Sequence, residues 1–306
     1  VFAFLIFWGV WTVYAVHLAS LGNISTRTED ALGPDIAVRV YEFDDFVYRS
    51  AWYLLFCMFW TAGFIVAFGD MVISLAVSKW YFTVDKSTVT SATVLSSFIS
   101  TLTFHLGTCA YGSLIIAIIQ LIRAVIAKIQ KEVAKAENSV ANCILCCCQC
   151  CFCCLEKCMK FINKNAYIQT AIFGTSFCES ARKAFFLILR NAARVSALTY
   201  VSAAVLIVGK LFISAVTTAL AYFVVVETID VDLHSYAGPM ALIFFISYTI
   251  ADMCMDIFEI AILSLLHCFI ADEEMFDGRA RHAEGTLQEW IDKNGAEDKD
   301  RLSNDV

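Results

Sequence analysis

Apolar runs as long as a lipid bilayer is thick recur through this chain, and they restrict its fold more than any motif does. The opening stretch, VFAFLIFWGVWTVYAVHLAS, has about twenty residues, the length at which a helix crosses the hydrocarbon core. Clear spans of this kind are residues 1–19, about 51–78, about 195–225 and about 237–270. In lipid the backbone must satisfy its own hydrogen bonds, so runs of this length predict helices. With 59% hydrophobic and 17% charged residues, the composition fits an all-α polytopic membrane protein and excludes a soluble fold of this size. The net charge of -7 sits largely in an acidic tail, residues 271–306, and does not point to a nucleic-acid partner, which would require a basic patch. The first run lacks a Met and a basic flank, so it reads as a membrane span of a longer chain rather than a signal peptide.

Charge then orients the spans. Residues 20–50 form an extracellular loop carrying the sequon Asn23-Ile24-Ser25, a glycosylation acceptor on the lumenal side. Residues 123–194 hold eleven Lys and Arg, half of the 22 in the chain, which predicts a cytoplasmic Cys-rich, basic loop over 128–194. The connection VETIDVDLHSYAGP has no basic residue and belongs outside; the tail, with Arg279 and Arg281, returns inside. A fifth apolar region, about 88–127, must then cross an even number of times. Its GTCAYG centre offers Gly107 and Gly112 as turn positions, so a spanning or re-entrant hairpin is expected, giving about six membrane segments with one broken or hairpin segment. A kinked helix packed between neighbours and a break lining a watery cavity both fit that centre.

Nine cysteines fall within residues 143–158: Cys143, Cys146, Cys147, Cys148, Cys150, Cys151, Cys153, Cys154 and Cys158. A reducing cytosolic loop disfavours a disulfide cage, and the overlapping spacings without a nearby His disfavour a tetrahedral metal site. Lys157, Lys160 and Lys164 beside them fit reversible S-acylation at a membrane surface. A plain interfacial helix with small apolar thiols is the other reading.

The run FHLGTCAYGSLIIAIIQLIR, the Cys-rich segment, and CCLEKCMKFINKNAYIQTAIFGTSFCESARKAFFLILRNAARVSAL in that order resemble the choline transporter-like family, as does LIVGKLFISAV with Lys210. The resemblance implies a ten-span relative of which this chain carries the last six, working as a carrier of choline, ethanolamine or a related organic cation by alternating access. It places the protein in the plasma membrane or an organellar membrane, among lipids and without a cofactor. In the last span the family's usual Asp-Thr pair is replaced by Leu263 and Ser264.

Choline is a fixed cation, so a site for it needs aromatic faces and a carboxylate. Candidate binding residues are Trp8, Trp11, Trp60, Asp70, Tyr111, Tyr248, Asp252, Asp256 and Glu259, with Tyr14, Phe64 and Tyr222 as further aromatics. Asp252, Asp256 and Glu259 stand at i, i+4 and i+7 with Tyr248 one turn earlier, so one helical face carries all four. Carboxylates at that depth should face protein or water: pairing with Lys210, solvation near the cytoplasmic end, and a cation path open to protons as well all fit them. His105 reads as a bonded interior imidazole or a proton relay. No nucleophile–base set or phosphate-cradling loop is present, so an enzyme is not expected. The alternative function is a membrane scaffold or lipid-organising protein anchored by an acylated Cys-rich loop.

Overall fold

The computed structural model describes residues 2–28, 37–135, 139–228, 235–276 and 280–282. Arg279, the 229–234 part of the acidic connection and most of the acidic tail lie outside the described residues. The apolar runs form α1 (Phe2–Ser20), α2 (Asp45–Phe82), α3 (Ala92–Ser100), α4 (Leu106–Lys135), α5 (Ser139–Phe173), α6 (Phe177–Arg190), α7 (Ala192–Thr228) and α8 (Ala237–Met275). Among the described residues six helical segments are long and apolar enough to cross a membrane: 3–20, 45–82, 92–134, 140–173, 192–225 and 237–275. The extracellular-loop region instead forms a two-stranded antiparallel hairpin, β1 (Asn23–Thr28) with β2 (Ala37–Glu42), in which Asn23 pairs with Glu42.

The count of six matches expectation, but the six are different ones. No turn forms at GTCAYG: Gly107 and Gly112 lie inside α4. The interruption falls earlier, at a π-helical turn, Thr101–His105, between α3 and α4. Hydroxyls account for it locally. Thr101 Oγ1 donates to Ser97 O at 2.9 Å and Thr103 Oγ1 to Ile99 O at 2.9 Å, competing with the amide ladder at the point where it widens. The sixth long helix is α5, within the stretch expected as a loop. Gly174 ends it, with φ +66° and its N–H on Thr170 O at 2.8 Å, a left-handed cap that a Cβ would strain. The 83–91 connection is tightened by Asp85, whose carboxylate accepts from Ser87 N and Oγ and is held below its ordinary pKa by those bonds.

The chain divides into two compact units, residues 1–68 with 107–163, and residues 69–106 with 164–306. In the first, α2 and α4 run antiparallel in close approach: a Cβ on Gly63 would stand 3.3 Å from Ser113 Cβ, and Cys109 Sγ donates to Ala67 O at 3.7 Å. The antiparallel α4–α5 pair is tied by Asn163 Nδ2 to Gly112 O at 2.7 Å. Buried Glu156 pairs with Arg123, with Lys160 at 2.7 Å, and accepts from Gln120 at 3.0 Å.

In the second unit α7 and α8 run antiparallel, joined near one end by Arg194–Glu273 at 2.7 Å, while Arg190 at the end of α6 pairs with Glu274 of α8 at 2.9 Å. The last turns of α2 run parallel to α8. Three successive contacts rise together along both helices: Ser264 Oγ to Ser74 Oγ at 3.0 Å, Cys268 Sγ to Ser78 Oγ at 3.5 Å, and Tyr81 OH to Asp272 at 3.2 Å. Small polar residues let two helices approach closely where lipid supplies no hydrophobic drive. A core of Tyr81, Leu187, Val195, Cys268, Phe269 and Ile270 closes that end. Asp272 is fully buried and also accepts from His282 N at 2.8 Å, with His282 Nδ1 at 2.9 Å.

Candidate functional site

The acidic face predicted on α8 acquires its partners from α2, α5 and α7, all through residues of the second unit. Lys210 of α7 pairs with Asp252 at 2.5 Å, and both Tyr248 and Asp256 lie within its electrostatic reach. Lys164 of α5 pairs with Glu259 at 2.7 Å. Asp70 of α2 completes the group, since the fields of Lys164, Asp256 and Glu259 all act on its carboxylate. Asp70 and Asp256 have no ion-pair partner within 4 Å among the described residues.

The charge balance follows from this list. Four carboxylates face two ammonium groups, so with every group ionised two negative charges are uncompensated. In the low dielectric of a membrane protein an anion pair of this kind attracts a monocation strongly. Access differs among the four: Asp256 is exposed and Asp70 is half-buried. Asp252 and Glu259 side chains are 48% and 46% exposed, whereas Lys210 is only 12% exposed. The lysines pair with Asp252 and Glu259, and Asp70 and Asp256 are left without an ion-pair partner among the described residues.

The face is flanked by hydroxyls. Ser264 is fully buried and donates to Ser74, whose own hydroxyl donates to Asp70 O at 2.7 Å. One turn further along α8, His267 is fully buried, and neither ring nitrogen has a hydrogen-bond partner among the described residues.

The aromatic candidates Trp8, Trp11, Trp60 and Tyr111 belong to the first unit; Asp70, Tyr248, Asp252, Asp256 and Glu259 belong to the second. Trp8 and Trp11 meet edge to face at 5.6 Å. Trp60 is held by its indole N–H on Ala110 O at 3.1 Å and stacks obliquely on Phe56 at 6.0 Å. Tyr111 is half exposed, Tyr14 points largely outward, and Tyr222 packs on Tyr236 at 6.0 Å. His105 stands half-buried in the π turn.

Two assignments change. Glu259 pairs with Lys164, not Lys210, because Lys210 is taken by Asp252 one to two turns away. Lys164 itself looked like a basic flank of the cysteines. The signal that marks it as interior is the polar face around it: Asn163, Asn165, Gln169 and Thr170 are all buried. All nine cysteines lie on α5, and Cys143, Cys146, Cys147, Cys150, Cys151, Cys154 and Cys158 are exposed at helical spacing. None is disulfide-bonded, and no metal-holding group occurs among the described residues.

Comparison with known proteins places these features in context. Residues 1–274 match the family model described as plasma-membrane choline transporter. The chain is 34% identical over 298 residues to choline transporter-like protein 2 of Dictyostelium discoideum, covering 96% of this chain and 47% of that protein. It is 39% identical over 235 residues to the protein of that name in Danio rerio, covering 74% and 34%, and 36% identical over 248 residues to the one in Homo sapiens, covering 78% and 35%. The chain therefore spans about half the length, or less, of these curated relatives.

Proposed function

Because this chain belongs to the plasma-membrane choline transporter family, we propose that the whole protein carries choline or a related organic cation across a membrane by alternating access. The observation that carries this reading is the α8 face, where Asp70 and Asp256 stand near each other without paired cations while Lys164 and Lys210 engage Glu259 and Asp252. A quaternary ammonium entering there meets two open carboxylates and has no proton to give them, so it is held by charge alone and can leave by exchange. Water, a second cation or a proton can replace it on the return.

The test is uptake of radiolabelled choline by proteoliposomes containing the complete protein, compared with empty vesicles. Asp70→Asn and Asp256→Asn each remove one open charge at constant volume. Each should lower uptake by roughly 5- to 150-fold, the equivalent of about 1–3 kcal/mol of lost contact, with folded abundance retained. Wild-type vesicles no better than empty ones would overturn the carrier reading and favour the scaffold, for which the exposed cysteine face of α5 would be the working surface.

A further inference from the structure

The first unit holds a cation already seated against two aromatic rings. Tyr48 and Trp52 stand at i and i+4 near the start of α2, their rings 6.4 Å apart and inclined at 74°, so that they form two walls of a corner. Lys128 of α4 places its ammonium 3.9 Å from the centre of the Tyr48 ring and 5.6 Å from that of Trp52. Both distances are within the reach of a ring quadrupole acting on a cation. The corner lies on an open surface groove of about 690 Å³ between α2 and α4. Val125, Ile129 and Val133 supply an apolar wall along one stripe of α4, and Glu132 adds a carboxylate.

We infer that this corner is a second organic-cation site, distinct from the acidic face, whose seat is filled by the chain's own Lys128. The ligand class is a small quaternary ammonium. Two ring faces and an apolar wall suit a methylated nitrogen, which offers no N–H and gains from every apolar contact. A primary ammonium is better hydrated and leaves the rings at less benefit. Lys128 is tethered by four methylenes, so it competes as an intramolecular ligand at high effective concentration, and an incoming cation must displace it. The site is therefore weak in the wild-type protein and strengthened when the tethered competitor is removed.

The inference needs only binding and stands apart from the transport reading. Equilibrium binding of radiolabelled choline is measured on the complete protein in nanodiscs, in an Asp70→Asn/Asp256→Asn background that removes the open charges of the acidic face. A residual saturable component is expected. Adding Lys128→Met should tighten it by about 2- to 30-fold, the range spanned by exposed to desolvated cation–π contacts. Trp52→Leu should abolish it, and 3,3-dimethylbutan-1-ol, the neutral isostere of choline, should not compete. Should Trp52→Leu not fold, Lys128→Met decides alone, since it leaves both rings in place. An unchanged affinity in Lys128→Met, or equal competition by the neutral alcohol, overturns the site and leaves Lys128 as a lysine extended along an aromatic belt.

Discussion

Lys164 and Lys210 pair with different acids of one helical face, and substitutions separate them. Replacing Glu259 by Gln strands the Lys164 ammonium, which is 26% exposed, so folded abundance should fall. The loss should stay below the ~3–5 kcal/mol of a fully buried broken pair, because the acid is half exposed and water screens it. Lys164→Met with Glu259→Gln should restore abundance on a size-exclusion profile; Lys210→Met with Glu259→Gln should not, since Lys210 is held by Asp252. The i, i+4, i+7 spacing makes the acidic face legible in the sequence. Its partners are not, because Lys164 meets Glu259 across 95 residues of chain. At Gly174 the strain is local. An Ala there meets no atom within 4 Å yet must hold φ +66°, so Gly174→Ala should cost about 1 kcal/mol and lower the melting temperature with no loss of packing.

At the scale of elements, α5 carries the largest departure from expectation. Its cysteine density and the polar run after it read as a surface loop, but α4 supplies partners that a loop would lack: Glu156 and Asn163 are buried against Gln120, Arg123 and Gly112. At about 1.5 Å per residue its 35 residues exceed a bilayer core. If α5 crosses, reporters at its two ends face opposite sides. Glu132→Cys and Ser176→Cys on a Cys-depleted background should react with impermeant maleimide on opposite faces of the membrane; reaction on the same face would return residues 128–194 to one side. The same crossing couples two modifications. With α2 and the 92–134 segment each crossing once, the start of α5 shares a side with β1 and β2. Lumenal glycosylation at Asn23 and cytosolic acylation of Cys143 to Cys154 then exclude each other. Either an Asn23→Gln mobility shift or a hydroxylamine-sensitive palmitate label is expected, and both together would mean that one of these helices does not cross.

For the whole molecule, the prediction concerns charge movement. Choline carries a fixed positive charge, and 100 mV acts on one charge with about 2.3 kcal/mol, a gradient of roughly 50-fold at equilibrium. Uptake into proteoliposomes should therefore rise with an inside-negative potential. Uptake indifferent to potential would show a second charge moving the other way, for which the open carboxylates Asp70 and Asp256 are the natural bearers.

Apolar run length by itself determined the helical class and four of the long helices, and residue spacing determined the acidic stripe of α8, because helix period and bilayer thickness act on contiguous residues. Composition also marked the cysteine segment as unusual without saying what it packs against. The tertiary structure alone decided that the interruption within residues 92–134 is a π turn at Thr101–His105 and not a turn at GTCAYG, that residues 139–173 form a long helix, and that Lys164 rather than Lys210 holds Glu259. Turn formation at Gly107 and Gly112 was permitted by their freedom in φ, yet it lost to packing: Gly112 O accepts from Asn163, and the neighbouring Ser113 lies under Gly63. A glycine opens a conformational option locally, and the helices that pack against it choose whether the option is used.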